Sequence, residues 1–98
     1  MTTLDKLIEE WAADKGILEN GNTTAQAIKT LEECTELLEA VHNKDFIEIS
    51  DALGDIYVTI LIQAKMQGLH LEDCVWGAYN VISKRTGKMV NGTFKKDK

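Results

Sequence analysis

The feature that most constrains the fold is one long segment, residues 46–67, whose second half is apolar around its whole circumference. The apolar positions of the first half recur at helical spacing: Phe46, Ile49, Leu53, Ile56 and Ile60. From residue 56 to 62 almost every side of the predicted helix is apolar, and such a helix must be buried all round. In a chain of 98 residues little else is available to cover it, because small domains bury a smaller fraction of their surface. We therefore expect at least a homodimer, with this helix at the interface.

Three further helices are predicted from the same spacing of three and four between apolar residues. They are expected over 3–15, 23–43 and 71–84, with Thr23 or Thr24 capping the second and Asp45 capping the long helix. The residues expected to face inward on the second and fourth helices are Ala27, Leu31, Cys34, Leu38, Val41, Val75, Ala78, Tyr79 and Ile82. No proline interrupts these segments. The prediction is an all-α, four-helix bundle in a single domain, 1–98, helical to about residue 86 and ending in a basic tail, 87–98.

Charge is divided unevenly along the chain. The net charge is -5, yet the residues after 82 carry six bases and one acid, whereas the rest carries five bases and 15 acids. An acidic body disfavours an ordinary nucleic-acid binder, which needs a broad basic surface. No apolar run reaches the roughly 18 residues of a membrane span. The N-terminus has no basic-then-apolar signal region, and Cys34 and Cys74 are isolated, so a reduced cytoplasmic chain with both thiols in the core is expected.

Acidic residues concentrate where the second and third helices are predicted. Eight of the 16 acids lie between residues 32 and 55. Glu33 and Glu36 flank the apolar stripe of one helix, and Glu48, Asp51 and Asp55 form a single stripe on the next. Carboxylates gathered in a groove repel one another unless a cation neutralises them, and Mg²⁺ or Mn²⁺ takes such oxygen ligands. The alternative at this point is a solvated acidic face.

The residues around these acids resemble a known family. The stretch Lys29-Thr-Leu-Glu32-Glu33-Cys-Thr-Glu36-Leu resembles the Lys-x-x-Glu-Glu-x-x-Glu-Leu signature of the MazG-like all-α nucleoside triphosphate pyrophosphohydrolases. The stretch Glu48-Ile-Ser-Asp51-Ala-Leu-Gly-Asp55-Ile-Tyr resembles their second motif, Glu-x-x-Asp before an apolar helix. Residues 80–96 resemble the Asn-x-x-x-Lys and basic tail of small phage and bacterial members. The resemblance extends over residues 25–96.

This resemblance implies a MazG-like bundle, completed by oligomerisation, that cleaves a (d)NTP to a (d)NMP and pyrophosphate with Mg²⁺ or Mn²⁺ in nucleotide-pool house-cleaning. Separately, the apolar stretch 56–62 predicts a homodimer or a homotetramer, between which the sequence does not decide. The implied catalytic and metal-binding residues are Glu33, Glu36, Glu48 and Asp51. In many members the second motif ends at the position of Asp55, which puts its Glu on Ala52, so Asp55 is expected as an added ligand or a hydrogen-bond acceptor. The residues implied to contact phosphates or orient the ligands are Lys29, Asn80, Lys84, Arg85 and Lys88.

Several single residues have competing interpretations. Trp11 and Trp76 fit core packing better than base stacking. Tyr57 is expected to face either the base or a partner subunit. His42 follows Glu39 at the spacing of di-iron bundles, but the second such pair is missing, so a helix-end histidine is the ordinary interpretation. The main rival to the enzyme is a non-enzymatic acidic helical module that uses its basic tail on a partner.

Overall fold

The computed structural model describes residues 2–97 and contains the four predicted helices, one short additional helix and a β-hairpin. The elements are α1 (Thr3–Asp14), α2 (Ile17–Asn20), α3 (Thr23–His42), α4 (Phe46–Met66), α5 (Leu71–Ile82), β1 (Gly87–Val90) and β2 (Thr93–Lys96). The predicted mainly helical fold is confirmed. The prediction was wrong in giving the C-terminal segment no regular structure, since β1 and β2 pair there as antiparallel strands.

Side-chain caps fix where the long helices begin. Thr2 and Asp5 form a capping box at the start of α1. Asn22 caps α3 by accepting a 2.7 Å hydrogen bond from the backbone N–H of Ala25, so the cap lies just before the two threonines that were predicted. Asp45 caps α4 as predicted and accepts from the N–H of Glu48 at 3.1 Å. These bonds satisfy backbone donors that a helix leaves free at its first turn.

Helix α4 is the centre of the molecule and contacts α1, α2, α3 and α5. The buried apolar side chains are mostly small and lie mainly on α4: Ala12, Ala40, Ala52, Leu61, Ile62 and Ala64. Two glutamine side chains tie α4 to α3, because the Gln26 amide donates to the Thr59 carbonyl at 3.1 Å and the Gln63 amide donates to the Thr23 carbonyl at 2.9 Å. Within 56–62 this chain buries Thr59, Leu61 and Ile62, whereas Ile56, Val58 and Ile60 are half-buried and Tyr57 is exposed. A homodimer interface on this helix stays a prediction.

The face of α3 that packs on α4 is not the predicted apolar stripe. Leu31 and Leu38 of that stripe are 67% and 70% exposed, whereas Glu33 and Ala40 are buried. The packed face lies one residue earlier along the helix, where Ala40 is small enough for close helix contact. Helical spacing identifies an apolar stripe but cannot say whether it faces this chain or another molecule.

The C-terminal helix also differs from the prediction. Helix α5 has no buried residue, and Val75, Trp76 and Tyr79 are each more than half exposed. Trp11 is 48% exposed, so neither tryptophan is the core residue that was predicted. Cys34 and Cys74 are free and exposed, which corrects their assignment to the core.

The hairpin that follows α5 is fixed by its turn. Val90 pairs with Thr93 across a two-residue loop, and Asn91 and Gly92 both have positive φ, 49° and 83°. Such a loop favours Asn-Gly because both central residues need left-handed backbone conformations. A side chain at Gly87 has no room, since a Cβ there lies 2.7 Å from the Phe94 ring. Within residues 2–97 neither strand packs against a helix.

None of the helices described over residues 2–97 combines the length and apolar character needed to cross a membrane.

Candidate metal centre

Three carboxylates from two helices come together between α3 and α4. Glu33, Glu36 and Asp55 each offer an oxygen, and these oxygens all lie within 4.8 Å of one another. Glu33 and Glu36 are neighbours on one face of α3 because they are three residues apart. Asp55 lies between Ala52 and Thr59 on α4, both buried, so it belongs to the face of α4 that meets α3.

Glu33 is the enclosed member of this carboxylate cluster. It is 9% exposed, and its buried Oε2 atom has no hydrogen-bond partner among the described residues. A hydrogen bond with Glu36, burial and the negative charges of Glu36 and Asp55 raise the pKa of Glu33, while Lys29 opposes the rise. A buried acceptor without a donor is costly. The cluster is therefore short of positive charge, and its enclosed member has an acceptor without a hydrogen-bond donor among the described residues.

Two other predicted acids lie outside this cluster. Among residues 2–97 the group of close carboxylates consists of Glu33, Glu36 and Asp55. Glu48 is exposed in the first turn of α4, and Asp51 is exposed one turn before Asp55. Asp51 borders the same groove as Asp55. The roles of Glu48 and Asp51 as ligands stay predictions.

The predicted phosphate-binding residues are spread over the exterior. Lys29 forms an exposed 3.7 Å ion pair with Glu32 and is close enough to Glu33 to influence its pKa. The other four lie on the C-terminal segment: Asn80 on α5, Lys84 and Arg85 in the connection to the hairpin, and Lys88 on β1. All four are exposed. Within one chain, the hairpin that carries Lys88 does not approach the helices that carry the acids.

A groove of about 810 Å³ runs beside the carboxylate cluster, between α1 and α4. Its walls combine apolar side chains with two acids: Leu4, Ile8, Ser50, Asp51, Gly54, Asp55, Tyr57 and Val58. The Tyr57 hydroxyl donates a 2.7 Å hydrogen bond to Asp5 and so fastens α1 to α4. This bond lowers the pKa of Asp5, and it raises the pKa of Tyr57. The contact of Asp5 with Tyr57 was not predicted from the sequence, because the only local pattern that involves Asp5 is the capping box with Thr2.

His42 ends α3, which agrees with its ordinary interpretation. Among residues 2–97 the possible metal-holding group contains carboxylates alone, so this part of the chain offers no site that joins His42 to further ligands.

Similarity to known proteins assigns the chain to a family. The model of the MazG nucleotide pyrophosphohydrolase domain family matches residues 22–90, which include both acidic helices and the start of the hairpin. The chain belongs to this family. Members of the MazG family act on nucleotide pyrophosphate bonds and typically depend on divalent metal. The resemblance predicted from the two acidic motifs is therefore confirmed.

A curated relative comes from a bacteriophage. The "Uncharacterized 18.2 kDa protein in rep-hol intergenic region" of Haemophilus phage HP1 (strain HP1c1) is 39% identical over 62 residues, 63% of this chain. The match spans only 38% of that relative's length. No solved structure matches the chain. The MazG assignment thus rests on the family match and agrees with the carboxylate cluster.

Proposed function

We propose that this MazG domain is a Mg²⁺-dependent nucleoside triphosphate pyrophosphohydrolase that cleaves a (d)NTP to a (d)NMP and pyrophosphate. In this proposal its biological role is nucleotide-pool house-cleaning, and it acts in the cytoplasm. The observation that carries the proposal is the cluster of Glu33, Glu36 and Asp55, in which Glu33 is buried and its Oε2 atom has no hydrogen-bond partner among the described residues. Membership of the MazG family supports the reaction class.

The donor set fits a hard divalent cation. Mg²⁺ and Mn²⁺ prefer carboxylate oxygens, and two helices here supply three of them. Glu33, Glu36 and Asp55 hold the cation in this proposal, and Glu48 and Asp51 add ligands on the substrate side. When bound, the cation would neutralise phosphate charge and lower the pKa of a coordinated water.

The remaining roles belong to the chain's own side chains. Glu33 or Glu36 accepts a proton from the attacking water. For Glu33, the hydrogen bond with Glu36 and burial raise the pKa, which suits this role. Lys29 lies next to the carboxylate cluster on α3 and balances part of its charge. Asn80, Lys84, Arg85 and Lys88 bind the triphosphate, and the cations among them stabilise the leaving pyrophosphate.

Self-association is part of the proposal. The chain exposes 7654 Å², whereas a compact monomer of 10.9 kDa exposes about 5,600 Å². Its radius of gyration is 15.9 Å, against about 13 Å for a compact domain of this length. The excess area, about 2,000 Å², exceeds the roughly 800 Å² that each partner buries in a standard interface. Large exposed apolar side chains lie on α1, α3, α4, α5 and the hairpin, and a homodimer or homotetramer would bury part of this area.

Pyrophosphate release from a panel of ordinary and modified (d)NTPs, with Mg²⁺ or Mn²⁺, tests the reaction. We expect Glu36→Gln to abolish turnover with the helical circular dichroism unchanged. Glu39→Gln is the matched control, because Glu39 lies one turn further along α3 and outside the carboxylate cluster. Absence of pyrophosphate release from every nucleotide would reject the enzyme and leave the acidic interaction module.

A further inference from the structure

The C-terminal hairpin lacks the contacts that normally stabilise such a small element. Neither strand packs against a helix within residues 2–97, and seven of the eight strand residues are exposed. A two-stranded hairpin by itself is marginally stable in water. The described part of the chain therefore leaves the hairpin projecting, without a surface to rest on.

The register of the hairpin places two of the three strand lysines on one face. Lys88 and Lys95 are directly opposite each other, and like charges in this position are unfavourable. Among residues 2–97 the ion pairs are Lys29 with Glu32 and Lys65 with Glu9, so neither hairpin lysine has a carboxylate partner there. This face is complementary to an anionic surface.

The opposite face of the hairpin carries an apolar pair beside Lys96. Met89 and Phe94 are also directly opposite each other, and they are 66% and 52% exposed. Strand residues alternate between the two faces, so this apolar pair and the lysine pair point in opposite directions. A molecule that binds the hairpin must therefore offer acidic groups to the face of Lys88 and Lys95, and apolar surface to the face of Met89 and Phe94.

A second copy of this chain offers both surfaces. Helices α3 and α4 carry the acids between residues 32 and 55, and α5 and the exposed stripe of α3 are apolar. We propose that the hairpin acts in trans. It docks on the α3–α4 face of a second copy, with Lys88 and Lys95 toward the carboxylate cluster of Glu33, Glu36 and Asp55. The lysines' contact with nucleotide phosphates rests on the proposed function, whereas the docking itself does not.

Photo-crosslinking tests the docking directly. Benzoylphenylalanine replaces Thr93, which shares the lysine face, and equal amounts of ¹⁴N and ¹⁵N protein are co-assembled before irradiation. Mass spectrometry should find mixed-isotope cross-links to α3 or α4. The same probe at the exposed Glu10 of α1 is the control and should give a different set of cross-links. Cross-links from position 93 within one chain, or to the hairpin of another copy, would overturn the proposal.

Complementation tests the contribution to the site. We expect Lys88→Ala with Lys95→Ala to lower kcat/KM at least tenfold in homogeneous assemblies, and Glu36→Gln to be inactive. A homodimer that contains one copy of each variant retains one site with intact acids and an intact hairpin. Statistical mixing should restore about a quarter of wild-type activity.

The mixed assemblies also separate the two proposals. Doubly tagged, co-purified assemblies that show no recovery would overturn action in trans. Failure of the wild-type protein to cleave any nucleotide would reject the proposed function alone, because the cross-linking result would still decide where the hairpin docks.

Discussion

The α3–α4 pair and the C-terminal segment, residues 71–97, are built in opposite ways. The helix pair contains the buried residues Ala40, Ala52 and Leu61 and the enclosed carboxylate of Glu33. The C-terminal segment buries none of its residues, although Trp76 and Tyr79 are large and apolar. The first region thus stabilises its own geometry, whereas the second presents surface suited to another molecule.

The difference between the two regions reflects two requirements, one for a metal site and one for an interface. A metal site needs side chains held by a packed scaffold, and α4 supplies it by contacting four other helices. An interface needs apolar area with charged groups around it, which α5 and the hairpin supply. We expect substitutions in the two regions to change different measured properties.

The largest expected effect on stability is in the helix pair. Leu61 is 2% exposed, so Leu61→Ala should lower the free energy of unfolding by about 2–5 kcal/mol through lost burial and a cavity. Urea unfolding at several protein concentrations measures it. The loss should persist at every concentration, and an effect below about 0.5 kcal/mol would contradict the assigned core.

A comparable truncation in the C-terminal segment should weaken self-association. Trp76 packs edge-on against Tyr79, with ring centroids 6.0 Å apart, and both rings are exposed in one chain. Trp76→Ala should weaken self-association tenfold or more by sedimentation, because interface aromatics carry much of the binding energy. Unchanged self-association, or a wild-type monomer at micromolar concentration, would remove α5 from the interface.

Removing the bond between α1 and α4 should have a smaller effect. Tyr57→Phe deletes the donor to Asp5 and should lower the melting temperature by less than Leu61→Ala does. The pKa of Asp5 is lowered from 3.8, so the stability from this bond is present at neutral pH and is lost as the pH falls through the lowered value. The difference between wild type and variant should therefore shrink in strong acid. A constant difference down to pH 2 would contradict this assignment.

The smallest expected change in stability is an increase, caused by Glu33→Gln. The pKa of Glu33 is raised from 4.5, so its ionised form destabilises the metal-free fold at neutral pH, and protonation relieves this cost as the pH falls through the raised value. Glu33→Gln should raise the melting temperature in a chelator at neutral pH, with a smaller gain near pH 4. Glu39→Gln is the control. A lowered melting temperature for Glu33→Gln in chelator at neutral pH would contradict the enclosed, uncompensated charge.

Helix positions were predictable because spacing and caps are local properties. Asp45 was identified from its position before Phe46, and the bounds of α3 and α4 differ from prediction by one residue at most. The orientation of α3 was not predictable, because its exposed apolar stripe is stronger in sequence than the face holding Glu33 and Ala40. An interface between copies and a core produce the same pattern.

The sequence contains a turn motif for the hairpin, which an analysis of helical spacing alone does not detect. Asn91-Gly92 between Val90 and Thr93 is a strong hairpin signal, and it fits the positive φ values found there. In the site, the two acidic motifs were recognised, and Glu48 and Asp51 were favoured as ligands, with Asp55 as an added ligand or a hydrogen-bond acceptor. Geometry brings Asp55 to Glu33 and Glu36, and one-dimensional spacing could not favour it over Glu48 and Asp51.

The central claim is that Glu33, Glu36 and Asp55 form a divalent metal site. Titration of Mn²⁺ into the wild-type protein, followed by electron paramagnetic resonance of the free ion, tests it without a substrate. Saturable binding is predicted for wild type and Glu39→Gln, with at least tenfold weaker binding for Glu33→Gln. Equal affinity in all three proteins, or no saturable binding in any, would contradict the account.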